Sequence, residues 1–204
     1  MIKEKKDLEN LADYFIKKAT TAGSTSCEVV VKSNVSETVN FRNKRIENSD
    51  RSDILIISIT TYVGIKKSSS SFTFIDKNNS DKMIEKCVEI TKLLPEDKNN
   101  LLPDKHLLAT DSPDLSQFDD TEINNQKKIE YLKVAENSAL NNKYIIKTNG
   151  SSFTESKSNF ILANSLGLSL GYKKSVFSSY TDLVAKKNNS GMERDYEYDA
   201  KAYF

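Results

Sequence analysis

Apolar positions along the chain fall into two alternating rhythms. Leu8, Leu11, Ala12, Phe15, Ile16 and Ala19 recur at i, i+3, i+4 and i+7, which predicts an amphipathic helix, and Gly23 stands where a C-terminal cap is needed. A period of two then takes over in CEVVVK, ETVNF and DILIISITTYV, the last rich in β-branched residues, which predicts strands. FRNKRIENSDRS between them is polar and predicts either a tight hairpin or a strand running on at a sheet edge. Gly64 breaks the third strand and KSSSSFTF reads as a fourth. A second helix begins near Ser80, with Met83, Ile84, Cys87, Val88, Thr91 and Leu94 as its buried stripe and Pro95 ending it.

All three prolines lie between positions 95 and 113, which marks a linker. A third helix is predicted from Glu122 to Asn141, with Ile129, Leu132, Ala135, Ala139 and Leu140 inward. KYIIKT, SNFILANS, YKKSVFSSYTDLVAKK and the closing GMERDYEYDAKAYF read as strands punctuated by Gly150, Gly167 and Gly191. In the closing segment Met192, Arg194, Tyr196, Tyr198, Ala200, Ala202 and Phe204 share one face, predicted to be the buried one. RIENS and ILANS occupy similar places in the two halves. The expected fold is α+β: two helix-plus-antiparallel-sheet units, 1–98 and 121–204, joined by a Pro-containing linker at 99–120.

Composition removes several function classes. Thirty basic and twenty-nine acidic side chains give a net charge of +1, so no basic footprint for nucleic acid is present. The longest strongly apolar run, Ile54 to Ile57, is far short of a membrane span, and the charged start MIKEKKDLEN lacks the core of a signal peptide; the expectation is a cytoplasmic protein. Without secretion the Asn-x-Ser matches at Asn34, Asn78, Asn149 and Asn188 read as chance. Cys27 and Cys87 make no disulfide framework.

Candidate chemistry is sparse. The single histidine, His106, lies in the linker and has no second ligand at zinc-binding spacing. Cys87 sits on an apolar helix stripe and Cys27 beside Glu28, so neither reads as an activated thiolate. Ser68 to Ser71 lack a nucleophile elbow, and GIKKS lacks the glycines of a phosphate loop. Arg42, Lys44 and Arg45 form a basic cluster able to grip a phosphate or carboxylate, set against the plainer reading of a solvated sheet edge beside Glu47 and Asp50. No complete catalytic site emerges from the residues themselves.

The order of four segments supplies what single residues do not. FRNKRIENSD, YVGIKKSSSSFT, LLPDKHLLATDSPDLSQFD and GMERDYEYDA, in that sequence, resemble the TldD/PmbA family on its PmbA (TldE) branch. The matching elements are Arg42 to Glu47, Gly64 with Ser68 to Thr73, Leu102 to Asp104, Leu115 to Asp119, and Met192 to Tyr198; Ala163-Asn164-Ser165 with Gly167 fits a further turn. The resemblance implies a non-catalytic subunit of a cytosolic zinc metalloprotease heterodimer that degrades or matures peptides. Zinc is then expected in the TldD-like partner, on a His-Glu-x-x-x-His motif, and in this chain no metal, cofactor or catalytic residue. The implied partners are that peptidase subunit and extended or unfolded peptides, with a homodimer also open and neither nucleic acid nor membrane involved. Arg42, Arg45 and Glu47 are the candidate peptide- or partner-facing edge. Family members are about twice this length, so the resemblance implies a chain cut short in mid-strand, without the family's C-terminal domain. The reading from a different class is a non-enzymatic module that binds and regulates a protein.

Overall fold

The computed structural model describes residues 1–188 and 190–204; Asn189, the middle residue of one Asn-x-Ser match, lies outside them. In chain order the elements are α1 (Lys5–Thr21), β1 (Ser26–Arg42), β2 (Arg45–Val63), β3 (Lys66–Thr73), α2 (Lys77–Leu93), a 3-10 turn (Lys105–Leu107), α3 (Asn125–Leu140), β4 (Ile145–Asn164), β5 (Ser169–Lys186) and β6 (Met192–Lys201). The fold is α+β. The strands form one six-stranded sheet in the order β3-β2-β1-β4-β5-β6.

Local chemistry explains most boundaries. α1 ends in a Schellman motif: Gly23 at φ +103° lets its own N–H reach Thr20 O (3.0 Å) and the Ser24 N–H reach Ala19 O (3.0 Å). α2 starts at Lys77, three residues earlier than the Ser80 expected, because the Asp76 carboxylate accepts the Asn79 N–H at 2.8 Å and caps the end. CEVVVK and ETVNF are one strand, β1. Likewise KYIIKT and SNFILANS are one strand, β4, which passes through Gly150 without a break. The polar stretch after Phe41 contains a tight hairpin: Asn43 and Lys44 both take left-handed φ values, 51° and 61°, as a type I′ turn requires. Gly171 answers to crowding, since a Cβ there would fall 1.8 Å from the Phe160 carbonyl oxygen.

The chain packs as two compact units that interleave along the sequence. One comprises 1–34, 53–116 and 158–173; the other comprises 35–52, 117–157 and 174–204. A division along the chain at a proline linker is therefore not how the molecule is grouped in space, because β1, β2, β4 and β5 each contribute residues to both units. The first unit has a large apolar core: Leu8, Ala12, Phe15 and Ala19 of α1 meet Val29, Val31, Ile57, Ile59, Ile84 and Ile161. Phe15 is fully buried, with Phe72 and Phe74 edge-on to its ring. Thr61, Ser68 and Thr91 link hydroxyls around the Cys87 thiol beneath α2.

The second unit is built differently. Its apolar cluster is small: Val39, Phe41, Ile123, Leu132, Phe153 and Phe177. Two expectations are corrected here. The buried line of α3 is Lys128, Leu132 and Glu136, while Ile129, Ala135, Ala139 and Leu140 are half-buried, because each buried charge meets a partner. The Lys128 ammonium bonds Glu37 at 2.9 Å and Glu155 at 3.0 Å. Second, β6 has the expected period of two but no buried face. It is an edge strand, exposed along its whole length.

Candidate functional site

The β1–β2 hairpin is held by a carboxylate. Glu136 of α3, fully buried, accepts the backbone N–H of Asn43 at 2.9 Å and of Lys44 at 2.8 Å. Two successive left-handed residues point both amides one way, and a carboxylate with two oxygens satisfies the pair. The clamp fixes where the candidate edge residues stand. Arg45 and Glu47 are exposed, Arg42 half-buried. Arg42 Nη1 and Glu47 Oε1 are 3.7 Å apart, an ion-pair distance too long for a hydrogen bond. Arg42 Nε is buried with no hydrogen-bond partner among the described residues.

Glu47 also lines a polar trough of about 440 Å³, together with Asn40, Asn48, Asn149, Gly150, Ser151, Ser152, Tyr180, Asp182 and Arg194. Five strands of the sheet contribute to its wall. At its centre Asp182 is only 3% exposed. It receives Arg194 Nε at 3.0 and 2.8 Å as well as the Arg194 Nη2–H, and it sits diagonally across the β5–β6 ladder from that arginine. Asn149 Nδ2 (3.0 Å) and the Tyr180 hydroxyl (3.1 Å) complete its shell. The Arg194 guanidinium first, then Asn149 and Tyr180, hold the Asp182 carboxyl well below its usual range, at about 2, against a burial penalty that acts the other way. Burial first, then the neighbouring carboxylate, pushes the Tyr180 phenol up. Opposite, Asn40 Nδ2 donates to Asn48 Oδ1 (2.6 Å) and Asn48 Nδ2 to Asp50 Oδ2 (3.0 Å).

Of the sequence candidates, Glu47 reaches this trough, while Arg42 and Arg45 stand at the hairpin that precedes it. Asp182, Asn149 and Glu136 escaped the sequence reading. A signal for Asp182 existed, since a lone acid in the apolar run TDLVA calls for a cation, and Arg194 follows in the next strand. Glu136 left no such trace, because its partners are backbone amides.

The remaining candidates do not line this trough. His106 is exposed in the 3-10 turn. Cys27 and Cys87 are free and buried, and burial pushes the Cys27 thiol up to about 11. Ser69 and Ser71 pair across the ladder with Thr60 and Ser58 as an ordinary polar strand. Among the described residues no three His, Cys, Asp or Glu side chains gather into a metal-ligand set. No helix among them is long and apolar enough to cross a membrane.

Residues 118–204, which hold α3, β6 and the Asp182–Arg194 pair, match the PmbA/TldA metallopeptidase central domain. The chain is 31% identical over 176 residues to the metalloprotease PmbA homolog of Buchnera aphidicola, an alignment covering 86% of this chain and 39% of that protein. To the metalloprotease PmbA homolog of Haemophilus influenzae it is 28% identical over 202 residues, 98% of this chain and 44% of the other. The chain thus spans about two-fifths of the length of these relatives. In fold it is similar to a Bacteroides thetaiotaomicron protein described as a modulator of DNA gyrase, with a TM-score of 0.87 at 21% identity, over 96% of this chain and 45% of that one.

Proposed function

From the premise that the chain belongs to the TldD/PmbA family, on its PmbA side, we propose that it serves a metallopeptidase pair as the non-catalytic, peptide-handling subunit. The observation that carries this reading is the match of residues 118–204 to the metallopeptidase central domain. The chemistry of the donor set supports the non-catalytic part: one exposed histidine and two buried thiols do not suit zinc, which prefers a tetrahedral set of nitrogen and sulfur ligands. In this division of labour a TldD-like partner supplies the zinc and its activated water, and this chain supplies walls and edges that hold the peptide. An exposed edge strand such as β6 can pair with an extended peptide through main-chain hydrogen bonds, without sequence selectivity. The two reduced cysteines suit a cytoplasmic setting.

The test is a mixing assay on an unfolded peptide, using the full-length protein, its TldD-like partner, and each alone. Cleavage is expected only in the mixture, and a chelator abolishes it. Undiminished cleavage by the partner alone overturns the subunit reading and favours a regulatory binding module; cleavage by this protein alone overturns both.

A further inference from the structure

In the first unit one edge of the sheet lies under a helix that overhangs it. β3 is the last strand on its side, so the outer main-chain groups of Lys66–Thr73 face no neighbouring strand. α2 sits above β2 and β3: Thr91 Oγ1 lies 2.7 Å from Thr61 Oγ1 and 3.0 Å from Ser68 Oγ, and Thr61 and Ser68 are register partners. The flank of α2 turned toward α1 is marked by Asp81, which accepts the Tyr14 hydroxyl at 2.5 Å and the Lys18 ammonium at 2.6 Å. Met83, Lys86 and Ile90, at i, i+3 and i+7, therefore stand on the opposite flank, beyond β3. Met83 is 41% and Ile90 52% exposed, whereas Ile84, Cys87 and Val88 on the same helix are buried. This apolar shoulder covers a lane that no strand of the sheet occupies.

The edge beneath it is left approachable. β3 pairs with β2 from Ile56↔Thr73 to Val63↔Lys66 without a bulge, contains no proline, and carries charge only at Lys66 and Lys67. Bulges, prolines and charges are the usual means of blunting an edge. β6, the other edge, has a carboxylate at every second residue from Glu193 to Asp199. Around the β3 lane the sign is opposite. Lys66, Lys67 and Lys86 border it, and none of the ion pairs among the described residues involves them. Asp76, past the far end, is occupied in capping α2 through Asn79 N and Nδ2 at 2.8 and 2.7 Å. Glu85 and Glu89 lie further round the helix, away from the lane.

We propose that the lane between β3 and the α2 shoulder docks an extended, acidic segment of a partner protein, added to the sheet as a further strand. Main-chain hydrogen bonds to β3 hold it, and apolar side chains at alternate positions fill the space under Met83 and Ile90. The intervening carboxylates turn to the other face, where Lys67 stands, within the field of Lys66 and Lys86. A second copy docked by its own β3 would bring three more lysines and no strand carboxylate, so charge favours a foreign acidic segment over self-pairing. β3 and α2 both belong to the first unit, and the site does not depend on the metallopeptidase reading.

The experiment titrates the 1–204 chain with three peptides of equal length, followed by amide chemical shifts. The first alternates valine with threonine and glutamate. The second replaces each glutamate by lysine, and the third keeps the glutamates but replaces each valine by serine. The first is expected to bind about ten-fold more tightly than either of the others, shifting Ser68, Ser70, Phe72, Met83 and Ile90. Ile90→Ser, on the exposed shoulder, is expected to weaken it about five-fold at an unchanged melting temperature. Lys67→Glu is expected to weaken it about two- to five-fold and to narrow its lead over the lysine peptide. Equal binding of the first peptide and either control, no binding, shifts confined to β6, or indifference to both substitutions would each overturn the proposal. Self-association without peptide, with the same β3 resonances moving, would also overturn it and assign the lane to a second copy. None of these outcomes bears on whether a metallopeptidase partner exists.

Discussion

In one unit α1 meets the sheet through Leu8, Ala12, Phe15 and Ala19, all apolar and fully buried; in the other α3 does so through Lys128, Leu132 and Glu136. The first contact depends on shape and area and tolerates exchange among apolar side chains. The second depends on named partners, since Lys128 needs Glu37 and Glu155 while Glu136 needs the amides of Asn43 and Lys44. Buried charges of this kind add little net stability over an apolar pair, but breaking one is costly because the survivor is stranded. The polar unit also carries the trough. There the sequence departs from the cheapest way to fold, which is where functional demands are expected to show.

Substitution separates the two modes. Phe15→Ala should lose about 4 kcal/mol by cavity formation, with little dependence on salt or on pH between 5 and 8. Lys128→Ala should lose about 3 kcal/mol, at the low end for a broken buried pair because Glu37 and Glu155 are 21% and 13% exposed and can recruit water. Denaturant titrations at two salt concentrations check both, and equal salt dependence would erase the distinction. Glu136→Gln should cost about 1–3 kcal/mol, because an amide group can accept one hairpin N–H but presents its own N–H to the other. Hydrogen exchange at Asn43 and Lys44 should accelerate while the α1 amides keep their protection.

Acid gives a smaller and graded effect. The folded Asp182 carboxyl titrates at about 2, below the ordinary value of about 4, so its contribution is present above about pH 4 and is lost as pH falls toward 2. Exchange protection in β5 should fall across that window before protection in α1 does, and Asp182→Asn should flatten the dependence. The smallest effect is expected at the hairpin surface. Arg42→Ala should change stability by less than about 1 kcal/mol, since its contact with Glu47 is long and half solvated.

Legibility in the sequence follows the same division. The α1 stripe, the Ile84, Cys87, Val88 and Thr91 part of the α2 stripe, and the Gly23 cap were readable because apolar periodicity and a glycine cap are local signals; Met83, expected in the α2 stripe, is exposed, and Leu94 lies half-buried just past the helix end. The β5–β6 register was half readable: the alternation in GMERDYEYDA marks a strand, and an antiparallel hairpin brings Arg194 near Asp182. The burial of β6 was misjudged because alternation reports two faces without saying that either is covered, and an edge strand can leave both in solvent. Lys128 and Glu136 were not readable as buried. A binary pattern assigns charges to solvent, and the partner that overturns this for Lys128, Glu37, is 91 residues away in sequence. The interleaved units were equally hidden, since they follow from long strands shared between two packing centres.

The central proposal is that this protein handles peptide while the metal chemistry resides in a partner. Zinc content, measured by elemental analysis on the purified full-length protein, on its TldD-like partner and on their complex, tests that most directly. The expected result under this proposal is one zinc per partner chain and only weak, non-stoichiometric zinc on this protein. One tightly held zinc per chain of this protein in isolation would contradict the account.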